Sequence, residues 1–172
     1  MVRRVMILTG FLILFFSGLV QAGTVSAGTT LFHAGRWRGS FSAGSGQGNG
    51  DTYMVAGVGV GYFLVNGLEA GFDGEAWIGS SPQLYKLTPG LRYVYSGFEK
   101  FWPYVGAFYR RTVYDGLPDL NSYGGRYGVY ASVAPNTYAG VGGVYEQLAN
   151  CDEHVYDSCS SSYPEISISL SF

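Results

Sequence analysis

Residues Tyr163 to Phe172 read YPEISISLSF. In an extended chain Ile166, Ile168, Leu170 and Phe172 share one face, and Ser167, Ser169 and Ser171 share the other. A strict period of two predicts a strand with an apolar environment on one side and a polar one on the other. Residues 1–22 have the layout of an export signal. Arg3 and Arg4 precede an uncharged apolar run over 5–20, and Val20-Gln21-Ala22 presents small residues before Gly23. The run is long for a signal core, so an uncleaved anchor is the rival reading. Without a cysteine near the site, a lipoprotein is excluded. An exported chain with an amphipathic strand of this kind predicts a barrel in an outer membrane, apolar toward lipid and polar inward. The expected organisation is a signal peptide over 1–22 and a single β-barrel domain over 23–172.

Composition agrees with a β structure. The chain holds 27 Gly, 15 Tyr and 11 Phe, while charged residues make up only 13%. Helix propensity is poor throughout, and aromatic strand formers abound. Beyond residue 22 no stretch has the roughly 18 uninterrupted apolar residues of a spanning helix. Setting Arg3 and Arg4 aside, eight basic residues stand against twelve acidic ones, which argues against a nucleic-acid partner.

Eight strands are predicted, at about 30–43, 51–63, 67–78, 84–95, 102–114, 123–133, 137–148 and 163–172. Tight connections at Val65-Asn66-Gly67, Ser96 to Phe101 and Ala134-Pro135-Asn136 alternate with looser ones at 44–50, 79–83, 115–122 and 149–162. That alternation is the pattern of a transmembrane up-and-down antiparallel barrel, with short turns inside the cell envelope and longer loops outside. An even strand number puts both ends on the periplasmic side.

Charge assigns the faces. Arg36 and Arg38 alternate with Trp37, and Phe41 with Ser40 and Ser42. Glu69, Asp73, Glu75 and Trp77 alternate with Leu68, Ala70, Phe72, Ala76 and Ile78. Lys86, Thr88 and Arg92 alternate with Tyr85, Leu87, Leu91 and Tyr93, and Arg126 with Tyr127. An Arg or Lys facing lipid at mid-depth costs about 2–4 kcal/mol, so the charged face must be the lumen. The expected interior network is Arg36, Arg38, Lys86, Arg92 and Arg126 against Glu69, Asp73, Glu75 and Glu165. Glu146 joins it if the seventh strand has the matching register. Arg110 and Arg111 are adjacent and cannot share a face, which leaves the fifth strand ambiguous. Aromatic girdles are expected near the two membrane interfaces. Trp37, Phe63, Phe101, Trp102, Tyr138 and Phe172 would form the periplasmic one, and Tyr53, Trp77, Tyr85, Tyr114, Tyr145 and Tyr163 the outer one.

The segment Val58 to Gly71 (VGVGYFLVNGLEAG) resembles the strand–turn–strand core of small outer-membrane barrels of the OmpA/OmpX-like superfamily. Thr88 to Tyr95 and Trp102 to Ala107 resemble its next strands. Phe172, with Leu170, Ile168 and Ile166, resembles the signal that the outer-membrane assembly machinery reads. The resemblance implies an address in the outer membrane, lipid and lipopolysaccharide as surroundings, and periplasmic chaperones as partners during biogenesis. It does not imply an activity, because the family includes structural, adhesive and defence-related barrels.

Side chains can just fill an eight-stranded interior, so a polar plug of ion pairs is expected, with a narrow ion path as the alternative. A wide diffusion pore needs about sixteen strands. The acidic row Glu69, Asp73 and Glu75 could suggest acid–base chemistry, but as many interior cations are present to pair with it. Cys151 and Cys159 are expected to form a disulfide in an oxidising compartment, pinning the last outer loop. The rival is a metal site made with Asp152, Glu153, His154 and Asp157, whose spacing matches no familiar zinc site. The same loop, with Tyr156, is the leading candidate for a surface contact. Ser158, His154 and Asp157 could be imagined as a triad, but a loop does not supply its geometry. Some barrels of this size are lipid A deacylases with a His-x-Ser on a lipid-facing strand, and here the residue two after His154 is Tyr156. The expectation is a non-enzymatic barrel without cofactor or metal. A soluble barrel that binds an apolar ligand is the remaining alternative, and it would turn its polar face outward.

Overall fold

The computed structural model describes residues 31–48, 51–80, 83–114, 119–149, 151 and 158–172. The expected signal peptide therefore lies outside the described residues. Eight strands follow in chain order: β1 (Trp37–Gly48), β2 (Asp51–Val65), β3 (Leu68–Ile78), β4 (Leu84–Val94), β5 (Phe101–Tyr114), β6 (Leu120–Ala134), β7 (Thr137–Leu148) and β8 (Ser160–Ser171). Each pairs antiparallel with its neighbours, and β8 returns to β1, so the sheet closes as a barrel. Closure removes every free sheet edge over the paired length, which a lipid-exposed sheet requires.

Side-chain alternation then sorts the chain into a wall with two chemistries. A ring of exposed apolar residues runs round the outside: Phe41, Val58, Phe72, Leu91, Val105, Tyr127, Val141 and Ile168, one from each strand. On the opposite face of the same strands, Arg38, Glu69, Glu75, Lys86, Arg92, Arg110, Arg126 and Glu146 are buried.

One end of the barrel holds the start of β1 and the finish of β8; we call it the terminal end and its opposite the loop end. At the terminal end, Asn66-Gly67 joins β2 to β3 and Pro135-Asn136 joins β6 to β7. Gly67 has φ +81°, and a Cβ there would lie 2.5 Å from the Val94 carbonyl oxygen, so glycine answers both demands.

Two expectations about β1 are corrected. The strand begins at Trp37, not near residue 30, because Leu31 and Phe32 turn inward and Gly35, at φ +88°, ends any extended run. It also continues through the glycine-rich stretch expected to be a loop. Gly44, Ser45 and Gly46 pair with Val55, Met54 and Tyr53, and the Trp77 ring lies against Gly46. Only residues 49 and 50 then separate β1 from β2, so this loop-end connection is as short as the Asn66-Gly67 and Pro135-Asn136 turns.

Candidate functional site

The lumen is the chemically distinctive part of the molecule, and glycine makes room for it. Gly57, Gly59 and Gly61 on β2 face inward, where a Cβ would collide with Ser42, Asp73 and Glu69 respectively, and the one on Gly57 would also crowd Glu75. A row without side chains on β2 thus lets the acidic row of β3 lean across it.

The buried charges form two balanced groups. Toward the terminal end, Arg38 pairs with Glu69 at 2.8 Å and with Asp73 at 3.3 Å. Arg126 pairs with Asp73 at 2.9 Å and with Glu165 at 3.8 Å, and Arg92 reaches Asp73 at 3.7 Å. Three arginines therefore face three carboxylates. Arg92 also donates to the Tyr130 hydroxyl at 2.7 Å, and Arg38 donates to the Ser40 hydroxyl.

Toward the loop end, Arg110 donates to Glu75 and to Glu146, both at 2.7 Å, and its Nε donates to Thr88 at 2.8 Å. It bonds Tyr163 as well. Glu146 also accepts from Lys86 at 2.9 Å and from Ser122 at 2.5 Å. Two cations thus face two carboxylates here. The Phe108 ring stands 4.6 Å from the Arg110 guanidinium and 5.3 Å from that of Arg126, in contact with a cation from each group. Charges withdrawn from water this way are tolerated only when paired and hydrogen-bonded.

Each group adjoins an apolar cluster. At the terminal end Leu31, Phe32, Phe63, Val94, Trp102, Tyr104, Tyr130 and Tyr138 pack together. Phe32 meets four rings, those of Trp102, Tyr138, Phe63 and Tyr130, at centroid distances from 5.1 to 6.2 Å. Its segment is tied down by backbone bonds. Gly67 N–H donates to the Phe32 carbonyl at 2.8 Å, Gly35 N–H donates to that of Phe63 at 2.8 Å, and the Ser171 hydroxyl donates to that of Leu31 at 2.8 Å. At the loop end Tyr53, Val55, Trp77, Leu84, Phe108, Val144 and Tyr163 form the second cluster. Lys86 Nζ sits 3.8 Å from the Trp77 ring centre, a cation–π contact beneath that cluster.

These clusters correct the expected girdles. Phe63, Trp102 and Tyr138 at one end, and Tyr53, Trp77 and Tyr163 at the other, point into the lumen. Trp37, Phe101, Phe172, Tyr85 and Tyr145 are exposed on the outside. A narrow barrel needs large rings to fill its ends as well as to face the headgroup zone, so an aromatic near a strand end has two acceptable homes.

Arg36 is a further correction. It lies outside β1, half-buried, and joins no ion pair among the described residues. Its carbonyl accepts from Phe63 N–H at 2.9 Å, so the turn at Gly35 holds it at the rim rather than in the lumen. Arg110, left unassigned by the sequence, is the best-connected interior cation, while Arg111 faces outward and pairs with Asp119 at 2.6 Å. Glu146 is interior. On β8, Glu165, Ser167, Ser169 and Ser171 are buried, and Ile166, Ile168 and Leu170 are exposed, as is Phe172 just beyond it.

Cys151 and Cys159 form a disulfide. It consumes both thiolates that the zinc alternative required. Asp152, Glu153, His154, Tyr156 and Asp157 lie outside the described residues. No group of three or more potential metal ligands occurs among the described residues. The acids Glu69, Asp73 and Glu75 are each paired with an arginine.

No protein-family model and no curated protein matches the chain. Solved structures do. Neisserial surface protein A superposes with a TM-score of 0.58 at 17% identity, over 80% of this chain and 96% of that one. The chain has the fold of a small outer-membrane barrel. The N-terminal β-barrel domain of OprF from Pseudomonas aeruginosa matches at TM-score 0.55 and 13% identity, over 78% of this chain and 97% of that one. The outer membrane protein OprG from Pseudomonas aeruginosa matches at 0.52 and 13%, over 83% and 98%. Identities this low speak for the fold alone.

Proposed function

We propose that this chain is a non-enzymatic integral protein of the outer membrane whose stoppered interior serves stability, and whose loop end is presented at the cell surface. The observation that carries this reading is the inverted polarity of the wall: the apolar ring outside, and five cations with five carboxylates inside. A water-soluble barrel would reverse the two faces. In this reading residues 1–22 are removed on export and the terminal end faces the periplasm. Lipid and lipopolysaccharide surround the wall. The exposed row Ile166, Ile168, Leu170 and Phe172 is what the assembly machinery and periplasmic chaperones recognise.

The role is envelope integrity or surface contact, with the loop closed by Cys151–Cys159 as the contact element. Membrane fractionation with surface labelling of a tag in that loop tests compartment and orientation together. Recovery in the outer-membrane fraction with the tag labelled on intact cells is expected; a freely soluble product overturns the reading.

The ten lumen charges also motivate a narrow ion path as a second reading. The apolar clusters at both ends speak against it. Planar-bilayer recording decides: stable current steps that change in Arg92→Gln or Glu75→Gln would replace the stopper with a conductor. An unaltered lipid A mass spectrum on overexpression is expected for a protein without lipid-modifying activity.

A further inference from the structure

Among the described residues of the eight strands, alternation turns a single charged side chain outward, that of Arg111 on β5. An outward charge is costly within the apolar band and tolerated at its border. On the same face of β5, Phe101 stands at the terminal end, ten positions before Arg111. At about 3.3 Å per residue and a tilt of about 40°, that stretch rises about 25 Å, the height of such a band. Arg111 therefore sits at the loop-end border, level with lipid headgroups. Its surroundings are one-sided. Across the ladders Arg111 faces Leu87 on β4 and Asn121 on β6, while Tyr109 faces Tyr123, which in turn faces Gln147 on β7. Tyr85, Tyr109, Tyr123 and Tyr145 are exposed on the outside of four consecutive strands, β4 to β7. The outward positions at the loop ends of β1, β2, β3 and β8 are Ser45, Met54, Ile78 and Ser162, none of them aromatic.

Resting on the reading that the loop end faces outward from an outer membrane, we propose that this side of the wall binds the phosphorylated disaccharide headgroup of one lipid A molecule. Arg111 takes a phosphate, and the tyrosine hydroxyls with the Asn121 and Gln147 amides take sugar oxygens. Arg111 Nε and Nη2 both donate to Asp119 Oδ2, at 3.0 and 2.6 Å. That pairing sets the guanidinium plane and uses two of the five N–H groups of a side chain that is 61% exposed. Arginine N–H groups match phosphate oxygens in pairs. Four strands about 4.8 Å apart present a patch about 14 Å wide, enough for a disaccharide. The Asp119 carboxylate makes the patch a poor trap for a free anion. A phosphate held at this height by its own acyl chains arrives at high effective concentration and needs no net charge to draw it in. A phospholipid headgroup without sugar would leave the two amides unused.

The test uses the folded barrel in phosphatidylcholine nanodiscs containing lipid A with both phosphates, or the same lipid dephosphorylated. Native mass spectrometry reads the lipid retained on the protein. Wild type should retain the phosphorylated lipid about tenfold more than the dephosphorylated one, the difference made by one charge-assisted contact. Arg111→Gln, shown to be folded by its gel mobility, should lose that preference. Met54→Gln, an outward change on β2, should keep it. Equal retention of the two lipids by wild type overturns the proposal, and that comparison needs no variant. An unchanged preference in Arg111→Gln overturns it too. So does equal retention of phosphatidylglycerol, which would make the contact a general attraction to anionic lipid. A negative result alongside recovery in the outer-membrane fraction removes the site and leaves the membrane address standing; a freely soluble product removes both.

Discussion

Arg110 and Glu146 meet at 2.7 Å although β6 lies between their strands, so their contact spans the lumen rather than following the sheet. Through Glu75, Thr88 and Tyr163 the same guanidinium also reaches β3, β4 and β8. Backbone hydrogen bonds join only neighbouring strands; this side chain braces strands that do not touch.

Arg110→Ala should therefore be among the most damaging single changes. It leaves Glu75 without its cation and Glu146 with one cation instead of two. Breaking a buried pair costs about 3–5 kcal/mol. Urea titration in lipid vesicles, followed by tryptophan fluorescence and by the electrophoretic shift of unheated samples, measures it. Arg111→Ala, whose ion pair is exposed, should cost no more than about 1 kcal/mol. Equal losses in the two variants would refute the bracing role.

The glycine row on β2 can be tested with a matched pair. Gly59→Ala places a methyl group where the Asp73 carboxylate and the Ser40 hydroxyl now lie. Asp73 must then withdraw from Arg126, at a cost approaching the about 3–5 kcal/mol of a broken buried pair. Gly74→Ala on β3 meets nothing within 4 Å and should stay within about 0.5 kcal/mol of wild type. The two urea midpoints, compared directly, check both halves of the statement.

Phe32 is outside every strand yet buried among four rings. Phe32→Ala should destabilise the barrel by about 3–5 kcal/mol, as expected for removing a core phenylalanine. Phe172→Ala, which removes an exposed ring, should change equilibrium stability far less. A melting or urea profile for Phe32→Ala that overlays wild type would show that the segment before β1 is not part of the core.

The disulfide should behave as a local device. Its ring closes over a sequence separation of 8, for which the chain-entropy argument gives about 2–3 kcal/mol. Replacing Cys151 and Cys159 together by Ser should make the connection between β7 and β8 cleavable by protease while the remaining wall keeps its folded mobility on gels. Loss of the folded band would instead assign the bridge to the barrel itself.

Much of this architecture was readable where a charge disclosed which way a strand faces. Glu69, Asp73 and Glu75 on β3, Lys86 and Arg92 on β4, and the serines of β8 each have only one affordable side. The aromatics disclosed nothing of the kind, since Trp102 fills the lumen and Phe101 beside it faces out. Arg110 was hidden by Arg111: two adjacent cations point to opposite faces, and local pattern does not say which one finds partners on β3 and β7. The terminal-end cluster was invisible because Leu31 and Phe32 look like the start of a strand. Only tertiary contact with Tyr130 and Tyr138 makes them part of a buried cluster.

The bond from the Ser171 hydroxyl to the Leu31 carbonyl joins positions 140 residues apart. β1 likewise finds one of its two neighbours in β8. Such distant pairings come late and carry a large loop-closure penalty. Until β8 is in place, one edge of β1 therefore lacks its backbone partners and the Leu31 carbonyl lacks the Ser171 hydroxyl, so the first strand is completed by the last.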